Sequence, residues 1–214
     1  RLAVAEEVCR RGSAVMLLIS PREVDQQAVR SALGMRVETL PAVALQRGQR
    51  GEFFKGCWRS YRQAQTLFRP SPPQAVLAMG GFTSAPPVLA GKRLGAAVFL
   101  HEANTIPGRA NRWLSFLVDL AFVNFPSTAG RLHTQQAVVT GMPVRSQFEP
   151  ADPASCRMAL GLDPRRPVVL ITGGSQGASA INQLMLEALP ALARTAPELQ
   201  FLQDRKSTRL NFSH

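Results

Sequence analysis

The sequence predicts an α/β fold, built from a parallel sheet with helices on both faces. Short apolar runs of strand type alternate with longer runs of helix type along most of the 214 residues, as βαβ units require. Glycine-rich turns follow several of the apolar runs, and ligands bind at such turns beyond the carboxyl ends of parallel strands. The content of 45% apolar and 18% charged residues is that of a globular protein with a core.

The first elements read in chain order as helix, strand and helix. Residues 2–11 have the apolar spacing of an amphipathic helix that ends at Gly12, and residues 14–19 form an apolar strand. Residues 53–69 form a second amphipathic helix. One stripe of this helix contains Phe54, Cys57, Trp58, Tyr61 and Phe68, and the adjacent stripe contains Lys55, Arg59, Arg62 and Arg69.

The later elements repeat the order of strand, turn and helix. They are strand 76–78, helix 87–94, strand 96–100, strand 138–140, strand 168–171, helix 181–192 and strand 199–202. The turns after these strands contain the sequences MGGFTS, HEAN, TGMPVR and GGSQG. Because they all follow strands of a parallel sheet, we expect them to share one edge of it.

The turn GGSQGASAIN, residues 173–182, is the most informative of these. A glycine-rich turn at the start of a helix directs free amide groups and the positive end of the helix dipole at one spot, which favours a phosphate. Ser175 adds a hydroxyl donor, and Gly173, Gly174 and Gly177 allow close approach of the backbone. A capping turn without a ligand is the alternative, since one such turn is a weak signal.

Charge and cysteine content limit the class of protein. Basic residues outnumber acidic ones by 25 to 14, and residues 1–150 contain 18 of the basic and 9 of the acidic ones. This excess favours anionic partners, which are phosphorylated small molecules, an anionic membrane surface or nucleic acid. The three widely spaced cysteines predict neither a disulfide framework nor a zinc site. The sequence shows no secretion signal and no apolar run of membrane-spanning length.

Four motifs, taken in order, resemble the MurG family of peptidoglycan glycosyltransferases: MGGFTSAPPVLAGKRLG, FLHEANTIPGRANRW, VVTGMPVR and GGSQGASAINQ. The resemblance implies the GT-B fold, in which two Rossmann-like domains face each other. It assigns residues 1–147 to the N-terminal Rossmann-like domain, which binds the acceptor and the membrane, and residues 148–203 to the start of the C-terminal domain that binds the UDP-sugar. Residues 204–214 break the pattern, and we expect them to be a non-native or disordered tail.

The resemblance also implies the reaction. N-acetylglucosamine is transferred from UDP-N-acetylglucosamine to the lipid-linked muramyl pentapeptide called lipid I, with inversion at the anomeric carbon, and lipid II forms. The implied partners are these two substrates and an anionic membrane surface, without cofactor, metal or nucleic acid. The implied location is peripheral, on the cytoplasmic face of the bacterial cell membrane. The family's first glycine loop, whose histidine is a candidate base, is expected just before Arg1, so the catalytic residue stays unassigned and the chain alone is expected to be inactive.

Matched motif by motif, the resemblance implies three donor-site residues, Asn104, Arg145 and Ser175. Arginine suits a diphosphate because its planar fork is permanently charged. Met142 replaces the usual asparagine of the family's N-P-V-R motif. His101 and Glu102 resemble an acid–base pair, but neighbours in a strand point to opposite faces. One of the two is therefore expected to be structural.

Two further sets of residues complete the expected site. The second glycine loop is implied to bind the diphosphate of the acceptor through an amide nest and hydroxyls, with a simple turn into a helix as the alternative; it contains Gly80, Gly81, Thr83 and Ser84. The aromatic and basic stripes of the helix at residues 53–69 suit an acyl–headgroup boundary, with core packing of the aromatic residues as the alternative. Its expected membrane contacts are Phe54, Trp58, Arg59, Tyr61 and Arg62.

Two other classes of protein remain open from the sequence. A dinucleotide-dependent oxidoreductase needs the spacing G-x-G-x-x-G and an acidic residue at the end of the next strand. Neither GGSQGA nor MGGFTS has that spacing. A basic, Rossmann-like module that binds lipid or nucleotide without catalysis is supported by the charge alone.

Overall fold

The computed structural model describes residues 2–30, 32, 34–42, 50–145, 148, 150–173 and 179–203. The chain divides into two compact units, Arg1–Phe148 and Glu149–His214. This division lies next to the domain boundary that the sequence led us to expect. Ser175 and the rest of its turn from Gly174 onward lie outside the described residues, as does the expected tail, residues 204–214.

The first unit alternates helices and strands from its beginning. Its described elements are α1 (Leu2–Arg10), β1 (Met16–Ile19), α2 (Glu23–Ala28), β2 (Arg36–Thr39), α3 (Arg50–Phe68), β3 (Ala75–Ala78), α4 (Ala85–Arg93), β4 (Ala97–Glu102), α5 (Arg109–Leu114), β5 (Leu120–Val123), α6 (Pro126–Ala129) and β6 (Ala137–Val139). Strands β2 and β5 and the short helices α2, α5 and α6 are additions to the elements predicted from sequence.

Every pair of strands in the described ranges is parallel, which confirms the predicted α/β class. Strand β1 pairs with β2, and the order of the larger sheet is β3-β4-β5-β6. Because neighbours in this sheet are also consecutive in the chain, each connection crosses over through one helix, α4, α5 or α6. The carboxyl ends of the four strands therefore lie at a single edge of the sheet.

The core of the first unit lies on this four-stranded sheet. Val98 and Leu100 of β4 and Val123 of β5 are fully buried, as is Val88 of α4. A second cluster joins α3 to α4 through Ala64, Phe68 and Ala90, with Met16 and Leu18 of β1 packed against it. Burial of these apolar side chains is the main force that holds the helices on the sheet.

Helix α4 lies unusually close to β3, and a glycine allows this approach. A Cβ atom added at Gly91 would lie 2.5 Å from Cγ2 of Val76, which is well inside the ordinary contact distance between carbon atoms. Gly91 is also buried. The depth at which α4 sits on the sheet thus depends on this position having no side chain.

The aromatic stripe of α3 is divided between core and surface. Phe68 is 5% exposed and Tyr61 packs partly against the same cluster, whereas Phe54 is 67% exposed and Trp58 is 60% exposed. Core packing therefore accounts for the C-terminal end of the stripe and not for its N-terminal half. None of the helices in the described ranges combines the length and the apolar character needed to cross a bilayer.

The second unit contains α7 (Pro153–Ala159), β7 (Val168–Ile171), α8 (Ser179–Thr195) and β8 (Gln200–Gln203), and β7 pairs with β8 in parallel. The Asp152 carboxylate caps α7, because it accepts from the Ser155 backbone N–H at 2.8 Å and from its hydroxyl at 2.6 Å. These hydrogen bonds hold the pKa of Asp152 below its usual value. No described side chain of α7 or α8 is buried.

Candidate functional site

Glu102, the last residue of β4, organises the loop that follows this strand. Its side chain is buried, and it accepts four hydrogen bonds. Oε1 accepts from the backbone N–H of Asn104 at 2.9 Å and from Nδ2 of Asn104 at 3.0 Å. Oε2 accepts from the backbone N–H of Gly108 at 3.0 Å and from Nδ2 of Asn111 at 2.7 Å. A carboxylate with its acceptor sites used in this way is a structural anchor for the loop.

Asn104 is exposed at the tip of this anchored loop. Besides the two bonds to Glu102, its backbone carbonyl accepts from the Thr128 hydroxyl at 3.0 Å, and Nδ2 of Asn124 donates to the neighbouring Ala103 carbonyl at 3.1 Å. The backbone and the amide nitrogen of Asn104 are therefore fixed by Glu102 of β4 and Thr128 of α6. Its side chain is exposed, and a carboxamide can both donate to and accept from a ligand hydroxyl.

The glycine loop after β3 lies against the same network. Gly80 and Gly81 have φ values of +84° and +91°, which favour glycine because a Cβ atom is strained there. A Cβ atom on Gly80 would lie 3.4 Å from Nδ2 of Asn111. Asn111 thus lies beside Gly80 and donates to the Glu102 carboxylate, so it lies between the two loops for which the sequence predicts different substrates.

The donors of the glycine loop are only partly those expected. The Ser84 hydroxyl donates to the Gly80 carbonyl at 2.9 Å, so its proton is used within the protein. Prolines at 86 and 87 remove two amide donors from the first turn of α4. Within the described ranges, the backbone N–H groups from Gly80 to Thr83 have no acceptor. These amides and the Thr83 hydroxyl are therefore the donors that the loop offers to an anion.

His101 connects β4 to the third loop of this edge. The imidazole is 6% exposed, and its Nε2 lies 3.3 Å from the carbonyl oxygen of Gly141. Gly141 has a φ of +74° and begins the turn that leads to Arg145. The Arg145 guanidinium carbon is 5.8 Å from the centre of the Phe148 ring. His101 and Glu102 thus each contact a different loop, and the expected structural role applies to both of them.

The exposed half of α3 forms an aromatic and basic surface, which consists of Phe54, Trp58, Arg59, Tyr61 and Arg62. The rings of Trp58 and Tyr61 stack with centroids 5.7 Å apart, and the Arg62 guanidinium lies 6.0 Å from the Trp58 ring. The Tyr61 hydroxyl accepts from Arg93 at 3.1 Å, which raises the pKa of Arg93. Tyr61 is therefore held by this contact with α4, whereas Phe54 and Trp58 are largely exposed.

The described residues contain no group of three His, Cys, Asp or Glu side chains arranged to hold a metal ion. The polar groups of the site are instead amides, hydroxyls and guanidinium groups, which suit phosphates and sugar hydroxyls. Together with the parallel sheet, they define a Rossmann-like α/β protein whose candidate binding residues lie on loops at the carboxyl edge of the strands.

The chain belongs to glycosyltransferase family 28. The glycosyltransferase family 28 N-terminal domain matches residues 1–123, and the glycosyltransferase family 28 C-terminal domain matches residues 168–212. The first match contains the loops after β3 and β4, and the second contains the GGSQG turn. The second match also extends into residues 204–212, which the sequence analysis set apart as a tail.

Curated relatives from several bacteria carry one name, UDP-N-acetylglucosamine–N-acetylmuramyl-(pentapeptide) pyrophosphoryl-undecaprenol N-acetylglucosamine transferase. The relative from Nocardioides is 33% identical over 198 residues, which are 89% of this chain and 53% of the relative. The relative from Rubrobacter xylanophilus is 36% identical over 86% of this chain and 55% of its own length. The one from Moorella thermoacetica is 42% identical over 56% of this chain and 33% of its own length. The chain thus spans about half the length of the first two.

Solved structures agree on the fold. A crystal structure of MurG from Acinetobacter baumannii is similar over 95% of this chain and 60% of its own chain, with a TM-score of 0.65 and 24% identity. A structure described as a putative UDP-N-acetylglucosamine 2-epimerase from Listeria monocytogenes covers 89% of this chain and 62% of its own, with a TM-score of 0.51 and 13% identity. The fold class is therefore α/β of the GT-B type.

Proposed function

We propose that this chain is part of an inverting glycosyltransferase, which moves N-acetylglucosamine from UDP-N-acetylglucosamine to lipid I and so forms lipid II. The observation that carries the proposal is the Glu102 network, because it joins the Asn104 loop to the glycine loop at one edge of the sheet. Family membership and the shared name of the curated relatives support the substrate class.

On the acceptor side, the loop from Gly80 to Ser84 is proposed to bind the diphosphate of the lipid. Its amide groups from Gly80 to Thr83 have no acceptor within the described ranges, and successive free amides form a concave anion site. The positive end of α4 adds to the attraction. Because Asn111 packs beneath Gly80, the position of this loop depends on the same network that holds Asn104.

On the donor side, Asn104, Arg145 and Ser175 are proposed to bind UDP-N-acetylglucosamine. Asn104 offers a carboxamide oxygen to a sugar or ribose hydroxyl, and Arg145 offers a charged fork to the diphosphate. The acceptor hydroxyl attacks the anomeric carbon while UDP leaves, and negative charge grows on the diphosphate in the transition state. Fixed donors that face this charge lower the barrier.

A chimera tests the proposal. The residues of the Moorella thermoacetica relative that precede the position matching Arg1 are joined to residues 1–167 of this chain, and these are followed, just before β7, by the C-terminal domain of the same relative. Transfer of labelled N-acetylglucosamine to a soluble lipid I analogue is then measured. We expect turnover by the chimera and none by the 214-residue chain alone. Asn104→Ala and Arg145→Ala in the chimera should each lower kcat/KM by at least about tenfold, and Arg36→Gln should not.

Several results contradict this function. A folded chimera without turnover refutes it, as does turnover that is unchanged in both variants of Asn104 and Arg145. A chain that binds anionic matrices, while the chimera shows no thermal shift with UDP-N-acetylglucosamine, would instead support the basic binding module without catalysis. Turnover by the chain alone would refute the expectation that it is inactive.

The exposed half of α3 is proposed to dock the protein peripherally on the cytoplasmic face of the cell membrane. Phe54 and Trp58 are largely exposed, and Arg59 and Arg62 are exposed beside them. Lys55 pairs with Glu52 at 3.0 Å, so it adds less net charge than the two arginines. Each basic residue near an anionic leaflet contributes about 1 kcal/mol, and inserted aromatic side chains add apolar burial.

Vesicle co-sedimentation tests the docking surface. The chain should bind vesicles that contain anionic lipid, and binding should weaken with salt and in a Phe54→Ala, Trp58→Ala double variant. A Phe116→Ala variant is the control, since Phe116 is also a largely exposed aromatic residue but lies after α5. Binding that is indifferent to anionic lipid and to salt contradicts the proposal.

A further inference from the structure

A cluster of polar side chains follows β1, and the function proposed above gives it no role. Ser20 is fully buried and its hydroxyl donates to the Asp25 carboxylate, which is 6% exposed. Arg22 completes the cluster, because its Nη2 donates to Asp25 at 3.3 Å and its Nε donates to Ser20 Oγ at 3.3 Å. A buried carboxylate needs such partners, since its desolvation is otherwise unfavourable. The cluster therefore fixes the direction of the Arg22 guanidinium.

This guanidinium lies on the glycine loop of the larger sheet. Its Cζ atom is 5.3 Å from the centre of the Phe82 ring, and Phe82 is the central residue of the loop from Gly80 to Ser84. The attraction between a cation and an aromatic face contributes about 0.5–1 kcal/mol at exposed sites. Arg22 is thus in contact with the loop whose amides are proposed to bind an anion.

Arg22 keeps donors that the protein does not use. A guanidinium carries five N–H groups, and two of them are accounted for by Asp25 and Ser20. The other three have no acceptor within the described ranges, and the side chain is 57% exposed. An arginine stacked on an aromatic ring still presents the edge of its planar fork, which matches two oxygens of a phosphate.

We propose that Arg22 is a further substrate-binding residue, whose guanidinium donates to the diphosphate of a lipid-linked acceptor held by the loop from Gly80 to Ser84. The inference rests on the proposed function, because that function supplies the reason for a lipid diphosphate at this loop. The loop provides neutral amide donors, and Arg22 provides the permanent positive charge that those amides lack. A fixed cation favours the more highly charged diphosphate over a monophosphate.

Isothermal titration calorimetry of the purified chain tests the role of Arg22, with geranyl diphosphate, geranyl monophosphate and UDP as probes. The unaltered chain should bind geranyl diphosphate more tightly than geranyl monophosphate, and its affinity for UDP should not depend on Arg22. Arg22→Gln should lower this affinity by at least about tenfold and should remove the preference over the monophosphate. A loss of fold alone would weaken both geranyl phosphates together, so the ratio of their affinities separates the two explanations.

Arg36→Gln is the matched control for this experiment. Arg36 pairs with Glu38 at 2.9 Å, and its side chain is 57% exposed, like that of Arg22. It lies at the first residue of β2, and therefore at the amino end of the strand and away from the proposed site. The affinity for geranyl diphosphate should be unchanged in this variant.

The outcomes distinguish this inference from the proposed function. Intact binding by the chain with equal affinity in Arg22→Gln overturns the role of Arg22 alone. Absence of binding by the unaltered chain overturns the acceptor loop and Arg22 together. If Arg22→Gln weakens UDP binding as much as it weakens geranyl diphosphate binding, the loop is assigned to a nucleotide and the lipid assignment is overturned. If Arg22→Gln does not fold, Phe82→Leu decides, because it leaves the Asp25 pair intact and should weaken binding by about threefold; unchanged affinity there overturns the inference.

Discussion

Glu102→Gln tests whether one buried carboxylate organises the edge of the sheet. The glutamine oxygen can accept from the two donors of Asn104, and its NH2 group then faces the donors of Gly108 and Asn111. Asn111 can rotate its amide and accept with Oδ1, an atom that is buried and has no hydrogen-bond partner within the described ranges. The Gly108 N–H then remains unpaired, which costs about 1–3 kcal/mol. Weaker bonds from Asn104 to a neutral acceptor add about 1 kcal/mol.

The free energy of unfolding should therefore fall by roughly 2–4 kcal/mol. Urea unfolding followed by tryptophan fluorescence measures this change, because Trp58 and Trp113, the 2 tryptophans of the chain, are both in the first unit. With a urea dependence of about 2 kcal/mol per molar, the midpoint should shift down by roughly 1–2 M.

Glu52→Gln provides the control for this measurement. Glu52 forms an exposed pair with Lys55, and such pairs contribute little, so the change should stay within about 0.5 kcal/mol. If Glu102→Gln unfolds at the same urea concentration as this control, the four hydrogen bonds do not have the structural weight assigned to them, and the reasoning about Asn104 and the shared edge fails with them.

Three further predictions concern other positions. Gly80→Ala and Gly95→Ala both place an alanine at a φ of +84°, so each variant should lose about 1–2 kcal/mol of stability. Only Gly80→Ala should also weaken the binding of geranyl diphosphate, measured by calorimetry, and an equal effect of both variants on binding contradicts the loop assignment. Burial raises the pKa of the Cys57 thiol, so iodoacetamide at about pH 8 should modify the exposed Cys156 before Cys57. Mass spectrometry of the digest measures the order of modification, and faster modification of Cys57 contradicts the prediction. The pKa of Asp152 is lowered in the folded state, so its contribution to stability is present above its unfolded pKa of about 3.9 and is lost as the pH falls below that value. Because Asp152 caps α7, Asp152→Asn should reduce the loss of helical circular dichroism signal between neutral and acid pH, and an unchanged acid profile would contradict the prediction.

Much of the fold followed from the sequence because its apolar runs are regular. The strands after Ala14, Gln74 and Gly95 were predicted from continuous β-type residues, and the helix around Trp58 from its amphipathic spacing. Strand β2 escaped prediction because its four residues, RVET, are mostly polar and partly exposed. Strand β5 is equally short and follows an aromatic-rich segment without a clear turn signal, so pattern alone did not delimit it.

The site was predicted less completely, and for a different reason. Asn104 and the glycine loop were proposed from local motifs, whereas the contacts of Asn111 and Arg22 join segments that are distant in the chain. Nothing in the local sequence states that Arg22 lies on Phe82, or that Asn111 lies under Gly80. The available signal was an asparagine, Asn111, three residues after Gly108, the glycine that precedes a short helix. This signal is weak. The alternation rule predicts that His101 and Glu102 point to opposite faces of β4, and it does not show that both are buried where this strand ends.

The missing side chain at Gly91 gives the glycine loop a remote adjustment. Helix α4 starts immediately after Ser84. A methyl group placed between Gly91 and Val76 would therefore move the helix away from β3 and shift the Ser84 hydroxyl, which donates to the Gly80 carbonyl. A smaller residue at position 76 would make room for that methyl group and return the helix to its original position on the sheet. Volume exchanged between these two interior positions can therefore retune the loop without any change to a residue that touches substrate.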